Sequence, residues 1–126
     1  MAIRGLGNDL VAVARVERAL ARHGRAFGER ILTLAEQSEW GKREDGACFL
    51  AGRFAAKEAT AKALGTGLAA GVRFRDLEVV SSIRGAPVLA LHGVAAEQAA
   101  DLGSLHSYVS ISHDGGFALA TVLLDG

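Results

Sequence analysis

The spacing of apolar and polar positions changes several times along the chain and predicts its elements. The first half begins with a short strand over 3–10 and continues with a helix over 11–22 that ends near Gly24. A second helix is predicted over 27–40 and a third over 49–64, on either side of the polar loop GKREDG. The strand IRGLGNDL contains two glycines.

The second half of the chain predicts two hairpins. The strand-like runs LEVVSSI and PVLAL are separated by the turn residues 84–87, and SYVSIS and FALATVLL flank the turn HDGG at 113–116. A short helix over 94–101, closed by Gly103, lies between them. Antiparallel hairpins with helices between them predict an α+β fold, with an antiparallel sheet and packed helices.

Composition and length restrict the class of protein. The chain has 126 residues, half of them hydrophobic, which is enough for one compact core, so we expect a single domain over 1–126. Cys48 is the only cysteine and favours a reducing compartment. The sequence has no signal-peptide pattern and no apolar run near the roughly 20 residues of a membrane span, so we expect a cytoplasmic protein that does not bind a membrane. Lys plus Arg and Asp plus Glu number 14 each, which argues against a nucleic-acid partner.

The helix FLAGRFAAKEATAKALGTG carries the first candidate chemistry. Glu58 and Lys62 are four residues apart and share a helix face, so they form either a surface ion pair worth about 0.2–0.5 kcal/mol or part of a ligand site. Asp9 lies close to a strand-to-helix junction, where helix capping and metal binding are both open. Two carboxylates from different elements suffice for Mg²⁺, which keeps waters and takes phosphate oxygens.

The glycines that follow this helix allow two interpretations. Residues 65–67, Gly-Thr-Gly, stand at the helix C-terminus, so they are not a phosphate loop at a helix N-terminus. They form a C-cap, or they also let a ligand approach the backbone closely. On the same helix Arg53, Lys57 and Lys62 are expected to neutralise phosphates, although Arg53 and Lys62 project from nearly opposite sides.

The first helix has a strongly asymmetric distribution of charge. One face carries arginines and the opposite face carries apolar side chains: Arg15, Arg18 and Arg22 against Val13, Val16 and Leu20. The arginines fall within about 60° of one another, and Glu17 lies away from them. This pattern is either a solvated face or a docking surface for an acidic protein or anionic ligand, and the absence of mixed signs favours docking.

The remaining polar residues give weaker indications. His113 is placed at the start of a turn, where it is either merely exposed or functional. The other histidines, His23, His92 and His106, have no metal-ligand spacing. The chain lacks a GxSxG motif, which argues against a serine hydrolase.

Three motifs together resemble those of a known family. GLGNDLVAVARV, FLAGRFAAKEATAKALGTG and VSISHDGGFALATV, in this order, are similar to the motifs of holo-acyl-carrier-protein synthases, the small 4'-phosphopantetheinyl transferases. The resemblance covers residues 5–122. It implies Mg²⁺-dependent transfer of 4'-phosphopantetheine from coenzyme A to a serine of apo acyl carrier protein, with release of adenosine 3',5'-bisphosphate. It also implies a role in fatty acid biosynthesis and a homotrimer with active sites between subunits.

The resemblance assigns roles to individual positions. It makes Asp9 and Glu58 the Mg²⁺ ligands and Glu58 and Lys62 the catalytic pair, with either Glu58 or a metal-bound water as the base. The implied coenzyme A contacts are Arg53, Lys62, Gly65, Thr66, Gly67, Pro87 and His113. The implied carrier-protein contacts are Arg15, Arg18 and Arg22. Thr60 departs from the common pattern and leaves the local pocket shape open.

Two other functions stay open at this point. A coenzyme A or nucleotide binding module without catalysis would keep the pocket but has no need for both carboxylates. A Mg²⁺-dependent phosphohydrolase would use water in place of the serine but has no need for an arginine docking stripe.

Overall fold

The order of strands and helices along the chain is largely the one that the sequence predicts. The computed structural model describes residues 2–68 and 71–126. In chain order the elements are β1 (Ile3–Ala12), α1 (Val13–His23), α2 (Arg25–Ile31), α3 (Leu34–Trp40), α4 (Gly46–Leu64), a 3₁₀ turn (Phe74–Asp76), β2 (Leu77–Ser81), β3 (Pro87–Leu91), α5 (Gly93–Asp101), β4 (His106–Asp114) and β5 (Phe117–Asp125).

The strands form two antiparallel sheets. The larger sheet has the order β1-β5-β4, with Asp9 opposite Ala120 in its register, and the smaller one pairs β2 with β3. The Ser107 hydroxyl donates to the Leu89 carbonyl at 3.2 Å and links β4 to β3. Both predicted hairpins and the α+β fold with antiparallel sheets are therefore confirmed.

Helix α4 is the central element, because it packs on the inner face of β1 and β5 and also contacts α1, α3 and α5. Its 19 residues include a run of buried alanines that are at most 4% exposed: Ala51, Ala55, Ala56, Ala59, Ala61 and Ala63. Small side chains on nearly every side let the neighbouring elements approach closely. Among the described residues, no helix combines the length and apolar character that a membrane span requires.

The helix predicted over 27–40 is two helices, so that prediction is wrong. Helix α2 ends at Ile31, and Leu32 is extended, with φ −93° and ψ 140°. Thr33 then begins α3 as its N-cap, where its hydroxyl accepts from the Glu36 N–H and the Glu36 carboxylate accepts from the Thr33 N–H. This reciprocal capping box satisfies free N–H groups at the helix start, so a break is stable here.

Lys57 is fully buried and lies at the meeting point of four elements. Its ammonium donates to the Ile31 carbonyl at 2.7 Å, to Glu36 Oε1 at 2.6 Å and to the Phe74 carbonyl at 3.0 Å. Burial lowers the pKa of Lys57, and the Glu36 carboxylate opposes this. The expectation that Lys57 neutralises phosphates is wrong, because all three ammonium protons are used inside the core.

Glu36 extends this buried contact to the smaller sheet. Its Oε2 accepts from the Val79 N–H at 2.8 Å, while Oε1 accepts from the Thr33 N–H at 2.8 Å and from Lys57. One ion pair thus joins α2, α3, α4, the 3₁₀ turn and β2. A buried charge is tolerated only when it is paired and hydrogen-bonded in this way.

We expect Lys57→Ala to lower the free energy of unfolding by roughly 3–5 kcal/mol, because it leaves the Glu36 carboxylate buried without its cation. Urea denaturation at fixed protein concentration measures this. The matched control is Lys42→Ala, an exposed lysine in the loop before α4, which should change stability by no more than about 0.5 kcal/mol. Equal effects of the two variants would contradict the structural importance of the buried pair.

Candidate active site

Three of the predicted site residues come together where β1 crosses α4. The Lys62 ammonium donates to Asp9 Oδ1 at 3.0 Å and to the Asn8 carbonyl at 2.9 Å. Glu58 is near enough to Asp9 and Lys62 for both charges to shift its pKa. Of the two alternatives for Glu58 and Lys62, the surface ion pair is not the contact seen, since Lys62 pairs with Asp9 across two elements.

Glycines in β1 make this close approach possible. A Cβ atom added to Gly5 would lie 2.1 Å from the Ala63 carbonyl oxygen, and one added to Gly7 would lie 2.1 Å from the Ala59 carbonyl oxygen. The strand backbone therefore rests directly on the helix backbone. Glycines at alternate positions of a strand are the signal for such an approach, and the sequence interpretation missed this role.

Asp9 faces α4 from within β1 and is not a helix cap. The strand continues to Ala12, which occupies the N-cap position of α1 and provides no side-chain cap. The capping alternative is therefore wrong, and the Asp9 side chain, 18% exposed, is left for the site it forms with Lys62.

The electrostatics of the site suit a divalent cation. Burial raises the pKa of the Glu58 carboxyl, and the nearby Asp9 carboxylate adds to the increase, while Lys62 and Arg15 oppose it. A bound cation stabilises the charged form of a carboxylate that lies close to a second one. The described residues contain no cluster of three or more acidic, histidine or cysteine ligands, so Mg²⁺ held here would complete its coordination with oxygens from water and substrate phosphate.

The Gly-Thr-Gly segment ends α4 one turn beyond this site. Gly65 is the C-cap in the left-handed conformation, with φ 82°, and its N–H bonds the Lys62 carbonyl. Gly67, also with positive φ, bonds the Ala61 carbonyl, and the Thr66 hydroxyl lies 3.1 Å from Gln98 Oε1 on α5. The C-cap interpretation is confirmed, and the role of these residues in ligand binding stays a prediction.

Arg53 lies in the other half of α4 and is nearly buried. Its guanidinium donates to the Val79 carbonyl at 3.2 Å and to the Ser81 hydroxyl at 3.3 Å, and it lies over the Phe49 ring. Pro87 begins β3 opposite Ser81 in the register of the smaller sheet. Arg53 and Pro87 are therefore near the same end of β2.

His113 is a strand residue, so its predicted place in a turn is wrong. It pairs with Ala118 near the end of β4, and its Nε2 lies 2.9 Å from the Cys48 carbonyl. A Cβ atom added to Gly52 would meet the imidazole at 3.0 Å, which places His113 against α4 beside Arg53. From Arg53 to Lys62 the helix rises by about 13 Å. The predicted site residues of one chain therefore form two separate groups, one around Arg53 and the other around Lys62.

The arginine stripe on α1 is confirmed. Val13 and Val16 are buried, and the three arginines are exposed: Arg15, Arg18 and Arg22. The Arg15 guanidinium lies 6.0 Å from the centre of the Phe54 ring. These two side chains border a cavity of about 350 Å³, with further apolar lining from α1 and α2.

Residues 5–122 match the family described as the 4'-phosphopantetheinyl transferase superfamily. The chain belongs to this superfamily. A holo-[acyl-carrier-protein] synthase of Halorhodospira halophila is 52% identical to this transferase over 122 residues, 97% of each chain. One from Vibrio vulnificus is 48% identical over 125 residues, 99% of each chain.

Solved structures agree with these sequence matches. The holo-[acyl-carrier-protein] synthase of Neisseria meningitidis superposes with a TM-score of 0.92 at 34% identity, covering 99% of this transferase and all of that chain. The Helicobacter pylori protein, in complex with coenzyme A, gives 0.83 at 33% identity, with 95% and 99% coverage. The resemblance, the fold and the enzyme class predicted from the sequence are confirmed.

We expect Gly7→Ala to reduce turnover by roughly a hundredfold, because the added methyl pushes β1 away from α4 and displaces Asp9 from its partners. Steady-state kinetics and a thermal unfolding curve measure the two effects separately. The control is Gly41→Ala at the end of α3, where φ is −63° and a Cβ meets only ordinary contacts at 3.5 Å and beyond. A fully active Gly7→Ala variant would refute this reason for the glycine.

Proposed function

We propose that this chain is a phosphopantetheine transferase acting on a carrier protein: it moves the 4'-phosphopantetheine arm of coenzyme A to a serine hydroxyl of an apo acyl carrier protein and releases adenosine 3',5'-bisphosphate. The names of the relatives support this, as does the coenzyme A complex of the Helicobacter pylori protein. The observation that carries it is the convergence of Asp9, Glu58 and Lys62 beside the glycine-rich end of α4.

Asp9 and Glu58 are the proposed Mg²⁺ ligands. Their carboxylates come from two elements that Gly5 and Gly7 hold in direct contact, and Lys62 leaves them incompletely neutralised. Two hard oxygen donors with room for phosphate oxygens fit this ion. When bound, Mg²⁺ would offset the negative charge of the pyrophosphate and of the departing bisphosphate.

Lys62 is proposed to contact the same pyrophosphate. Its ammonium has three donors, of which Asp9 and the Asn8 carbonyl take two. The side chain is 53% exposed, so the third donor is available to a ligand. Positive charge held in place before the reaction stabilises the developing charge without reorganisation.

The transfer forms one bond and breaks another at the same phosphorus. The serine oxygen bonds to the phosphorus that carries the pantetheine arm, and the bond from that phosphorus to the bridging oxygen of the bisphosphate breaks. The serine proton passes to Glu58 or to a water beside it. Asp9 and Lys62 hold the reacting groups in line.

A homotrimer with its active sites between subunits would bring the two separated groups of residues together. Arg53, His113 and Pro87 of one copy would then hold the nucleotide beside Asp9 and Lys62 of the next. The outer face of the larger sheet supports an assembly, because it exposes a patch of large apolar side chains: Leu6, Leu10, Tyr108, Phe117 and Leu119. Sedimentation as a monomer would contradict this assembly.

The single domain, the cytoplasmic location and a role in fatty acid biosynthesis stay part of the proposal.

The stripe of Arg15, Arg18 and Arg22 is proposed to dock the carrier. Arginines on one exposed face attract a carboxylate-bearing surface and orient it. Arg15 is near enough to Glu58 to shift its pKa, so the stripe begins at the reaction site. A carrier bound along α1 would therefore present its serine next to the proposed metal ligands.

The first test is intact-mass spectrometry of the apo acyl carrier protein of Halorhodospira halophila after incubation with this chain, coenzyme A and Mg²⁺. We expect the carrier to gain the mass of one phosphopantetheine arm, and a chelator to prevent the gain.

Glu58→Gln should fold normally and lose the metal-dependent transfer, because an amide is a poor substitute for a hard anionic ligand.

Two results would contradict this assignment. Undiminished transfer by Glu58→Gln would remove Glu58 from the metal site. Bisphosphate released from coenzyme A without any carrier would indicate a hydrolase, whereas coenzyme A bound without turnover would indicate a binding module.

We expect Arg18→Ala to raise the KM for the carrier roughly two- to fivefold, since an exposed charge pair is worth about 0.2–1 kcal/mol. The KM for coenzyme A should stay the same, and the effect should shrink as added salt shortens the roughly 8 Å screening length. Glu17→Gln, an exposed residue of the same helix, serves as the control and should not weaken capture. A carrier KM insensitive to both Arg18 and salt would exclude docking through this stripe.

A further inference from the structure

A second basic surface lies outside the sequence motifs of the family. The residues around the 3₁₀ turn and the end of α2 line an open cavity of about 530 Å³: Arg30, Leu68, Val72, Arg73, Phe74 and Arg75. Its lining combines three arginines with three apolar side chains. The segment VRFRD, which supplies most of this lining, has no role in the reaction proposed above.

The cations of this cavity are only partly neutralised. Arg73 is 78% exposed and lies 3.4 Å from the buried Asp76 carboxylate. Arg75 donates to the Glu29 backbone carbonyl, which carries no net charge. Arg30 has no ion pair among residues 2–68 and 71–126, and the Glu29 carboxylate pairs with Arg25 on its own helix. The surface therefore keeps an excess of positive charge.

This cavity continues the surface that begins at Arg15. Arg30 and Phe74 also line a neighbouring cavity of about 210 Å³, and Phe27 and Phe54 lie in it as well. Phe27, Arg30 and Phe54 in turn border the cavity of about 350 Å³ beside Arg15. Because each cavity shares lining residues with the next, the three lie side by side, and together we call them the groove; aromatic, aliphatic and arginine side chains line it.

We propose that Arg73 and Arg75 are recognition residues for the carrier protein, binding carboxylates that flank an apolar segment of its surface at the far end of this groove. The inference rests on the proposed function, because the carrier is the one macromolecule that the transfer requires. Guanidinium groups match carboxylates in geometry, and the apolar side chains of the groove can bury an apolar segment of the partner. A small free anion would leave these apolar side chains without a partner, so a protein surface fits the cavity better.

The test uses the double variant Arg73→Ala/Arg75→Ala with the same Halorhodospira halophila apo carrier. We expect the KM for the carrier to rise roughly three- to tenfold, because two exposed charge contacts are lost. The value of kcat and the KM for coenzyme A should stay at the wild-type level. The dependence of carrier capture on salt should become shallower.

Two further variants separate recognition from folding. Arg73→Lys/Arg75→Lys keeps both charges and should restore much of the affinity for the carrier. Arg75→Ala alone leaves the Arg73–Asp76 pair intact and should give part of the loss. Arg84→Ala removes the same type of charge from the exposed turn between β2 and β3 and should leave the carrier KM unchanged.

Each contrary result has a distinct meaning. An unchanged carrier KM in the double variant, with an active wild type, overturns this inference and leaves the transferase function standing. A raised KM for coenzyme A would assign the cavity to the coenzyme, and a smaller assembly by sedimentation would assign it to contacts between copies. A wild-type chain that modifies no carrier would overturn the proposed function itself.

Discussion

The orientation of α4 depends on the buried ammonium of Lys57. Its three acceptors come from α2, α3 and the 3₁₀ turn, so the helix cannot rotate about its axis without breaking hydrogen bonds in the core. Successive residues of a helix point about 100° apart. With Lys57 fixed inward, Glu58 is directed toward the edge of the core, and Lys62 reaches out to β1. A charge at the centre of the fold thus determines where the charges of the site lie.

The second constraint is the distance between β1 and α4, which Gly5 and Gly7 set. Because no side chain separates the two backbones, Asp9 reaches the ammonium of Lys62 at 3.0 Å and lies near enough to Glu58 to raise its pKa. Repulsion between two carboxylates is unfavourable, and a cation bound between them would relieve it. Gly5 and Gly7 therefore set the distance between β1 and α4, and Lys57 sets the rotation of α4 about its axis.

The sequence predicts the hairpins, the arginine stripe and the α+β class well, because these depend on local periodicity and turn chemistry. The break before α3 was also predictable, since Thr33 and Glu36 have the spacing of a capping box. The burial of Lys57 was not, because lysine is almost never buried and its partners lie 17 to 26 residues away in the chain. The pairing of Lys62 with Asp9 could not be predicted either. Helical periodicity identifies neighbours on the same helix, such as Glu58, but not contacts with a distant strand. The roles of Arg53, Pro87 and His113 stay predictions.

The distribution of charge shows how a chain with no net charge can still present positive surfaces. Several of its acidic groups are engaged in ion pairs: Glu36 in the core, Asp76 with Arg73, and Asp9 with Lys62. Several arginines lie along α1 and around the 3₁₀ turn, where aromatic side chains such as Phe54 and Phe74 are among their neighbours. A protein whose charges balance overall attracts a partner only over the surface where they do not balance. If the carrier docks along that surface as proposed, the contact that captures it also brings it beside Glu58, to which Arg15 lies close.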